Sequence, residues 1–253
     1  MKIIVDGYGG VGKTTMLKKL EYGVFDPETR LTIGIDFFAN TYRNLFGQNV
    51  TAQFWDLVGA ARFNFLRPMC YRGANCVIIV ADLTRPITFD RIDYFIEVAK
   101  QVNIDPSQII LVGTKTDLFY ERSVDSIYLT TVAEKHGLSE TVETSARNNH
   151  NLDELFELAT VLAMYKKGIF SEYEYKMCKE DIKERIQEPI PEPYEKLIRK
   201  CWKCGRSLFF HEFSDSNRKI YDEDRLFELW ESPYLQFYCC ACYKELNQKN
   251  FRL

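Results

Sequence analysis

Gly7-Tyr8-Gly9-Gly10-Val11-Gly12-Lys13-Thr14 follows the pattern G-x-x-x-x-G-K-T, one residue after the short apolar run Lys2-Ile3-Ile4-Val5-Asp6. Glycines at Gly9, Gly10 and Gly12, with Val11 between them, let successive backbone N–H groups turn inward around an anion. A helix starting near Lys13 aims its positive end at the same place. Lys13 would reach the outer phosphates of a nucleoside triphosphate, the Thr14 hydroxyl would ligate Mg²⁺, and Thr15 belongs with the nucleotide-binding residues. A plain glycine-rich turn needs no Lys-Thr after it, so this segment predicts nucleotide binding.

Three further segments fall in order along the chain. Asp56-Leu57-Val58-Gly59 follows Phe54-Trp55, Thr114-Lys115-Thr116-Asp117 follows Ile109-Ile110-Leu111-Val112-Gly113, and Glu143-Thr144-Ser145-Ala146 follows a third extended stretch. Together with the first motif, their order and spacing resemble the Ras superfamily of small GTPases. The Rab branch is the most similar, through Thr32-Ile33-Gly34-Ile35-Asp36-Phe37, Trp55-Asp56 and Tyr71-Arg72-Gly73-Ala74. The resemblance spans residues 1–168. It implies a P-loop NTPase fold, a doubly wound and mostly parallel six-stranded α/β sheet with ligand loops at the carboxyl ends of strands.

The resemblance also assigns roles. Asp117 accepts the two donors of guanine, a pairing adenine cannot offer. The Lys115 stem covers the base, Ser145 and Ala146 form the loop at its oxygen, and Phe25 stacks on its edge. Thr114 stands where Asn is usual, though Thr occurs there in the Rho branch. Thr32 joins Thr14 on Mg²⁺ when the γ-phosphate is present, Asp56 holds the ion through a water, and Gly59 gives its N–H to the γ-phosphate. Lys13, Thr32 and Gly59 are thus the groups expected at the reacting phosphate. Loss of that phosphate relaxes two switches, about Phe25–Asp36 and Leu57–Met69.

The chain departs from this pattern after Gly59. Ala60 stands where a glutamine usually orients the attacking water, and Ala61 where a glutamate is usual, before Arg62-Phe63 restore the pattern. Phosphoryl transfer depends on positioning and electrostatics, and intrinsic rates are on the order of 10⁻⁴ s⁻¹ even with the glutamine. Slow hydrolysis is therefore expected. A GTPase-activating protein could supply the missing groups in trans, or Arg30, two residues before Thr32, could act in cis. The alternative is a GTP-loaded scaffold that scarcely hydrolyses. Tyr8, where Ala or Asp is common, either covers the phosphates or faces solvent.

These residues need a frame to hold them. A helix is expected over 13–22, a strand pair from 37–42 and 50–55 turned around Gly47-Gln48-Asn49, and helices over 89–102 and 125–136. Val77–Ala81 and Ile109–Val112 are unbroken apolar runs, as buried parallel strands require. The last helix of the domain should start at an Asn151 cap with Glu154 three residues on. Its apolar stripe runs through Leu152, Leu155, Phe156, Ala159, Leu162 and Ala163.

Residues 169–200 read as a connecting segment. It is helical over 171–187, either solvated or packed back on the first domain, and is then broken by Pro189, Pro191 and Pro193. Residues 201–253 read as a small zinc-ribbon-like module. Cys201-x-x-Cys204 and Cys239-x-x-Cys242 are two pairs spaced to grip one tetrahedral Zn²⁺, and so short a module would draw folding energy from the metal. Cys240 or His211 could substitute for a ligand.

The whole chain has 253 residues, 46% of them hydrophobic, a net charge of −3 and eight cysteines. The module carries eight Lys and Arg against eight Asp and Glu, a poor footprint for nucleic acid, while its many aromatics suit a protein partner. A strand beginning by residue 3 leaves no signal peptide, and no apolar run spans a bilayer. The reduced cysteines suggest a cytoplasmic protein. With no prenylation motif at Asn250-Phe251-Arg252-Leu253, membrane contact would be indirect. The expected partners are effectors, an exchange factor and a GTPase-activating protein, met by a monomer.

Overall fold

The computed structural model describes residues 1–26, 32, 34–43, 46–47, 49–187, 198–204, 207–209, 213, 217, 220–232 and 235–238. Arg30, Pro189, Pro191, Pro193, His211, Cys239, Cys240 and Cys242 lie outside the described residues. The chain divides into two units, Met1–Ile190 and Pro191–Leu253.

The first unit is built on a six-stranded sheet in the order β2-β3-β1-β4-β5-β6. Its strands are β1 (Lys2–Gly7), β2 (Ile35–Arg43), β3 (Asn49–Leu57), β4 (Cys76–Asp82), β5 (Ile109–Thr114) and β6 (Glu140–Thr144). All neighbours are parallel except β2 and β3, which pair antiparallel from Ile35↔Leu57 to Arg43↔Asn49. The unbroken runs of β4 and β5 are buried along their whole length. Alternation splits β1 between the faces. Ile3 and Val5 join the cluster under α1 (Lys13–Tyr22) and α5 (Leu152–Lys166), and Ile4 joins the one under α2 (Arg67–Tyr71), α3 (Ile92–Gln101) and α4 (Ser126–His136). Helices on both faces of a mainly parallel sheet give the doubly wound architecture expected.

Two helices show plain local end chemistry. α1 runs from Gly12 to Gly23, both left-handed, and Asp125 caps α4 by accepting from the Tyr128 amide at 2.6 Å. The capping box expected at Asn151 does not form. Asn151 adopts φ 54° and makes no side-chain cap, because its carboxamide is used elsewhere, as described below.

The segment after Gly168 also differs from a free connection. Helix α6 (Glu172–Arg185) opens with a Ser171–Glu174 capping box and belongs to the first unit, with Cys178 and Ile182 buried in the α5 core. Leu158 and Val161, outside the stripe read from the sequence, are buried in that same cluster. Tyr165 stacks on Tyr175 at 4.6 Å between ring centres. Arg185 reaches Glu157 at 2.7 Å, and Lys183 and Lys179 both pair with Glu140 at the start of β6.

In the second unit, β7 (Ile198–Lys200) pairs antiparallel with β8 (Ser207–Phe209), and helix α7 (Glu223–Glu231) is capped by Asp222. Trp230 is fully buried and packs on Phe213 and Phe237. No helix among the described residues is long and apolar enough to cross a membrane.

Candidate functional site

The four motifs converge at the carboxyl ends of β1, β3, β5 and β6. The loop after β1 turns through left-handed Gly10 (φ 73°) and Gly12 (φ 97°), conformations that a side chain would strain. Gly7 is needed for a different reason. A Cβ there would stand 2.2 Å from the Val80 carbonyl oxygen of β4. Lys13 is buried, with its ammonium on the carbonyl oxygens of Gly7 at 3.1 Å and Tyr8 at 3.0 Å; burial pulls its pKa below the usual lysine value. The Tyr8 ring is partly buried. It packs against the core cluster under α1 and α5.

Thr14, Thr32 and Asp56 meet at one point. The two hydroxyls are 2.6 Å apart, and Asp56 Oδ2 accepts from Thr14 at 2.5 Å and from Thr32 at 3.2 Å. Asp56 Oδ1 is buried with no hydrogen-bond partner, and burial pushes the carboxyl up to about 6 against the pull of Thr14 and Lys13. Hard oxygen donors converging on an unsatisfied carboxylate fit a small divalent cation. Gly59 lies hard against the phosphate loop, since a Cβ on it would stand 2.7 Å from the Gly9 Cα. Ala60 follows in extended conformation, Phe63 donates to its carbonyl, and its own side chain is a methyl group.

The Thr114–Asp117 and Glu143–Ala146 motifs also come together. Thr114 is buried and donates to the carbonyls of Val11 (2.8 Å) and Ala81 (3.0 Å), tying β5 to the phosphate loop. Lys115 is left-handed (φ 68°) with its ammonium 2.7 Å from Asp82 Oδ2. Ser145 donates to Asp117 Oδ1 at 2.6 Å and pairs backbone to backbone with His150. Ala146 packs on the core beside it. Thr15 lies in α1, and Phe25 is half-buried in the segment beyond Gly23.

Several contributors are not signalled by any motif. Arg85 donates to Asp82 at 2.8 Å and to the Gly9 carbonyl at 3.1 Å, so a buried carboxylate joins the phosphate loop to Lys115. Asp6 and Arg67 form a buried pair behind Gly59. Their separation in sequence hides both contacts.

The model of the Ras family matches residues 2–165. Over 157 residues the chain is 37% identical to "Ras-related protein Rab-19" of Xenopus laevis, covering 62% of this chain and 73% of that protein. It matches the Mus musculus protein of the same name at 37% identity, covering 72% of it, and "Ras-related protein RabC" of Dictyostelium discoideum at 36%, covering 80%. The chain belongs to the Ras family. This Ras family member is a small GTPase, an enzyme that hydrolyses GTP and switches between nucleotide states. Membership implies GTP or GDP with Mg²⁺ as ligands, and Rab-like relatives generally bind effectors, exchange factors and activating proteins.

The family match ends before the second unit. There Cys201 is buried and Cys204 exposed at the turn after β7. Among the described residues no group of three or more His, Cys, Asp or Glu is placed to hold a metal. The expected ligands Cys239 and Cys242 lie outside the described residues.

Proposed function

We propose that this GTPase is a slow, partner-dependent switch whose nucleotide site is made of the residues named above. Val11, Gly12 and Lys13 would cradle the phosphates, Asp117, Lys115 and Ala146 would hold guanine, and Thr14, Thr32 and Asp56 would hold Mg²⁺. When bound, the ion would neutralise phosphate charge. Lys13 would trade its loop carbonyls for phosphate oxygens, and Gly59 would give its amide to the γ-phosphate. Nothing at Ala60 would orient a water.

The observation that carries slow hydrolysis is Ala60 itself, a methyl group in extended backbone directly after the glycine packed on the phosphate loop. Single-turnover hydrolysis of bound GTP tests it. Wild type should fall below the intrinsic rate of about 10⁻⁴ s⁻¹ typical of a relative with the glutamine. Ala60→Gln should raise the rate. Turnover within minutes, or no gain from glutamine, would overturn the proposal. Protein that purifies with GTP still bound would favour the scaffold reading.

We further propose Zn²⁺ in the second unit, on Cys201, Cys204, Cys239 and Cys242, with the unit serving as a protein-binding end. Its support is the donor chemistry and one contact. The Trp202 amide donates to the Phe237 carbonyl at 2.9 Å, so the chain returns to the first cysteine pair two residues before Cys239. Elemental analysis should find about one zinc per chain, lost in Cys204→Ser. Metal-free protein with intact fluorescence from Trp230 would exclude it.

A further inference from the structure

The Val58 carbonyl and the Gly59 N–H are opposite ends of one planar trans peptide, so fixing one fixes the direction of the other. Arg67, at the start of α2, donates from Nη2 to the Val58 carbonyl at 2.9 Å. The guanidinium has no freedom to do otherwise. Its side chain is 3% exposed, and that of its partner Asp6 is 0%. Asp6 takes Arg67 Nε at 2.7 Å and Nη2 at 3.2 Å. The remaining acceptor capacity of Asp6 goes to the Tyr71 hydroxyl at 3.1 Å and the Gly7 amide at 2.7 Å. Arg67 Nη1 donates to Asn64. Turning the guanidinium would leave a buried carboxylate unpaired, at severe cost.

Asp6 immediately precedes the phosphate loop on β1, so the Val58 carbonyl is pinned to the base of that loop. The Gly59 N–H therefore faces away from Arg67, while Gly59 itself packs on Gly9. We propose that Arg67, held by Asp6, is a positioning residue for γ-phosphate recognition. It fixes the Val58–Gly59 peptide so that its N–H is already aimed when GTP arrives. This rests on the reading that the Gly59 amide meets the γ-phosphate. GDP has no such phosphate, so the effect is selective for the triphosphate.

The test is equilibrium binding of fluorescent GDP and GTPγS to the full chain. Arg67→Lys keeps the buried charge paired but cannot fork to both Asp6 and Val58. The double variant Asp6→Asn/Arg67→Met removes both charges together while the carboxamide oxygen can still accept from Tyr71 or Gly7, so it offers a second route if the single variant does not fold. Each should lose about tenfold in GTPγS affinity, the scale of one misaimed hydrogen bond, with GDP changed by less than about twofold. A folded variant with an unchanged GTPγS-to-GDP ratio, including equal weakening of both, overturns the role. Wild type that binds neither nucleotide would instead overturn the underlying reading.

Discussion

Asn151 holds the backbone of Gln187 at two points. Its Oδ1 accepts from the Gln187 amide at 2.9 Å and its Nδ2 donates to the Gln187 carbonyl at 2.9 Å. The same Nδ2 donates to the Glu143 carbonyl at 2.9 Å, at the head of the segment proposed to hold guanine. The chain leaving α6 is thus fastened to the segment that carries Ser145 and Ala146. Helix α6, read from the sequence as either solvated or packed back on the first domain, is thus tied to the proposed nucleotide site.

Asn151→Gly should loosen that fastening without straining the backbone, since glycine tolerates φ 54° where alanine does not. Losing buried amide bonds should cost about 1–3 kcal/mol in urea unfolding. Dissociation of fluorescent GDP should quicken. An unchanged release rate would mean the clamp serves α6 alone.

Gly59→Ala tests the contact between the second switch and the phosphate loop. The added methyl meets Gly9 Cα, Gly9 N and the Tyr8 carbonyl oxygen, all at 2.7 Å and all backbone, so no side chain can swing aside. The peptide must retreat from the loop. GTPγS affinity should fall by about tenfold or more while GDP binding persists. Equal affinities for wild type and variant would contradict the packed geometry.

What the sequence discloses follows the range of the interaction. The glycine turn after β1, the strand pair around Gly47 and the helix that ends at Gly137 are decided within a few residues, and each stands where spacing put it. The Asn151 cap was misread for the opposite reason. A residue suited to a local cap is drawn to Gln187 and Glu143, partners visible only in three dimensions. Asp6 looks like an odd polar end to a strand until Arg67 arrives across more than sixty residues of chain. Leu158 and Val161, outside the stripe, are buried in the same cluster as Cys178 and Ile182 of α6, a helix that the α5 sequence does not announce.

Asp82 should shape the acid limb of stability. Burial opposes its charge, but hydrogen bonds from Lys115 and Thr84 outweigh that and hold its carboxyl below its ordinary value of 3.8. A lowered folded value means the contribution is complete above about pH 4 and is lost as pH falls through that lower value. Urea midpoints should therefore be insensitive to this group from pH 7 to 5 and decline below 4. Asp82→Asn should be less stable at pH 7 and decline less steeply in acid. Parallel curves for the two proteins would refute the assignment.

The docking of α6 can be divided between apolar and ionic parts. Ile182 is 1% exposed in the α5 core, and Ile182→Ala should cost about 2–5 kcal/mol through lost burial and an unfilled cavity. Glu140 takes both Lys179 and Lys183 and is itself only 13% exposed, so it is better shielded than a surface pair. Glu140→Gln should cost less, about 1 kcal/mol, and the difference from wild type should shrink as salt is raised. Limited proteolysis separates the two effects. If α6 is held chiefly by its apolar face, Ile182→Ala will open it to cleavage at any ionic strength, whereas Glu140→Gln will differ from wild type only at low salt. Cleavage of α6 in wild type as rapid as in Ile182→Ala would mean that the helix is not held against α5 in solution.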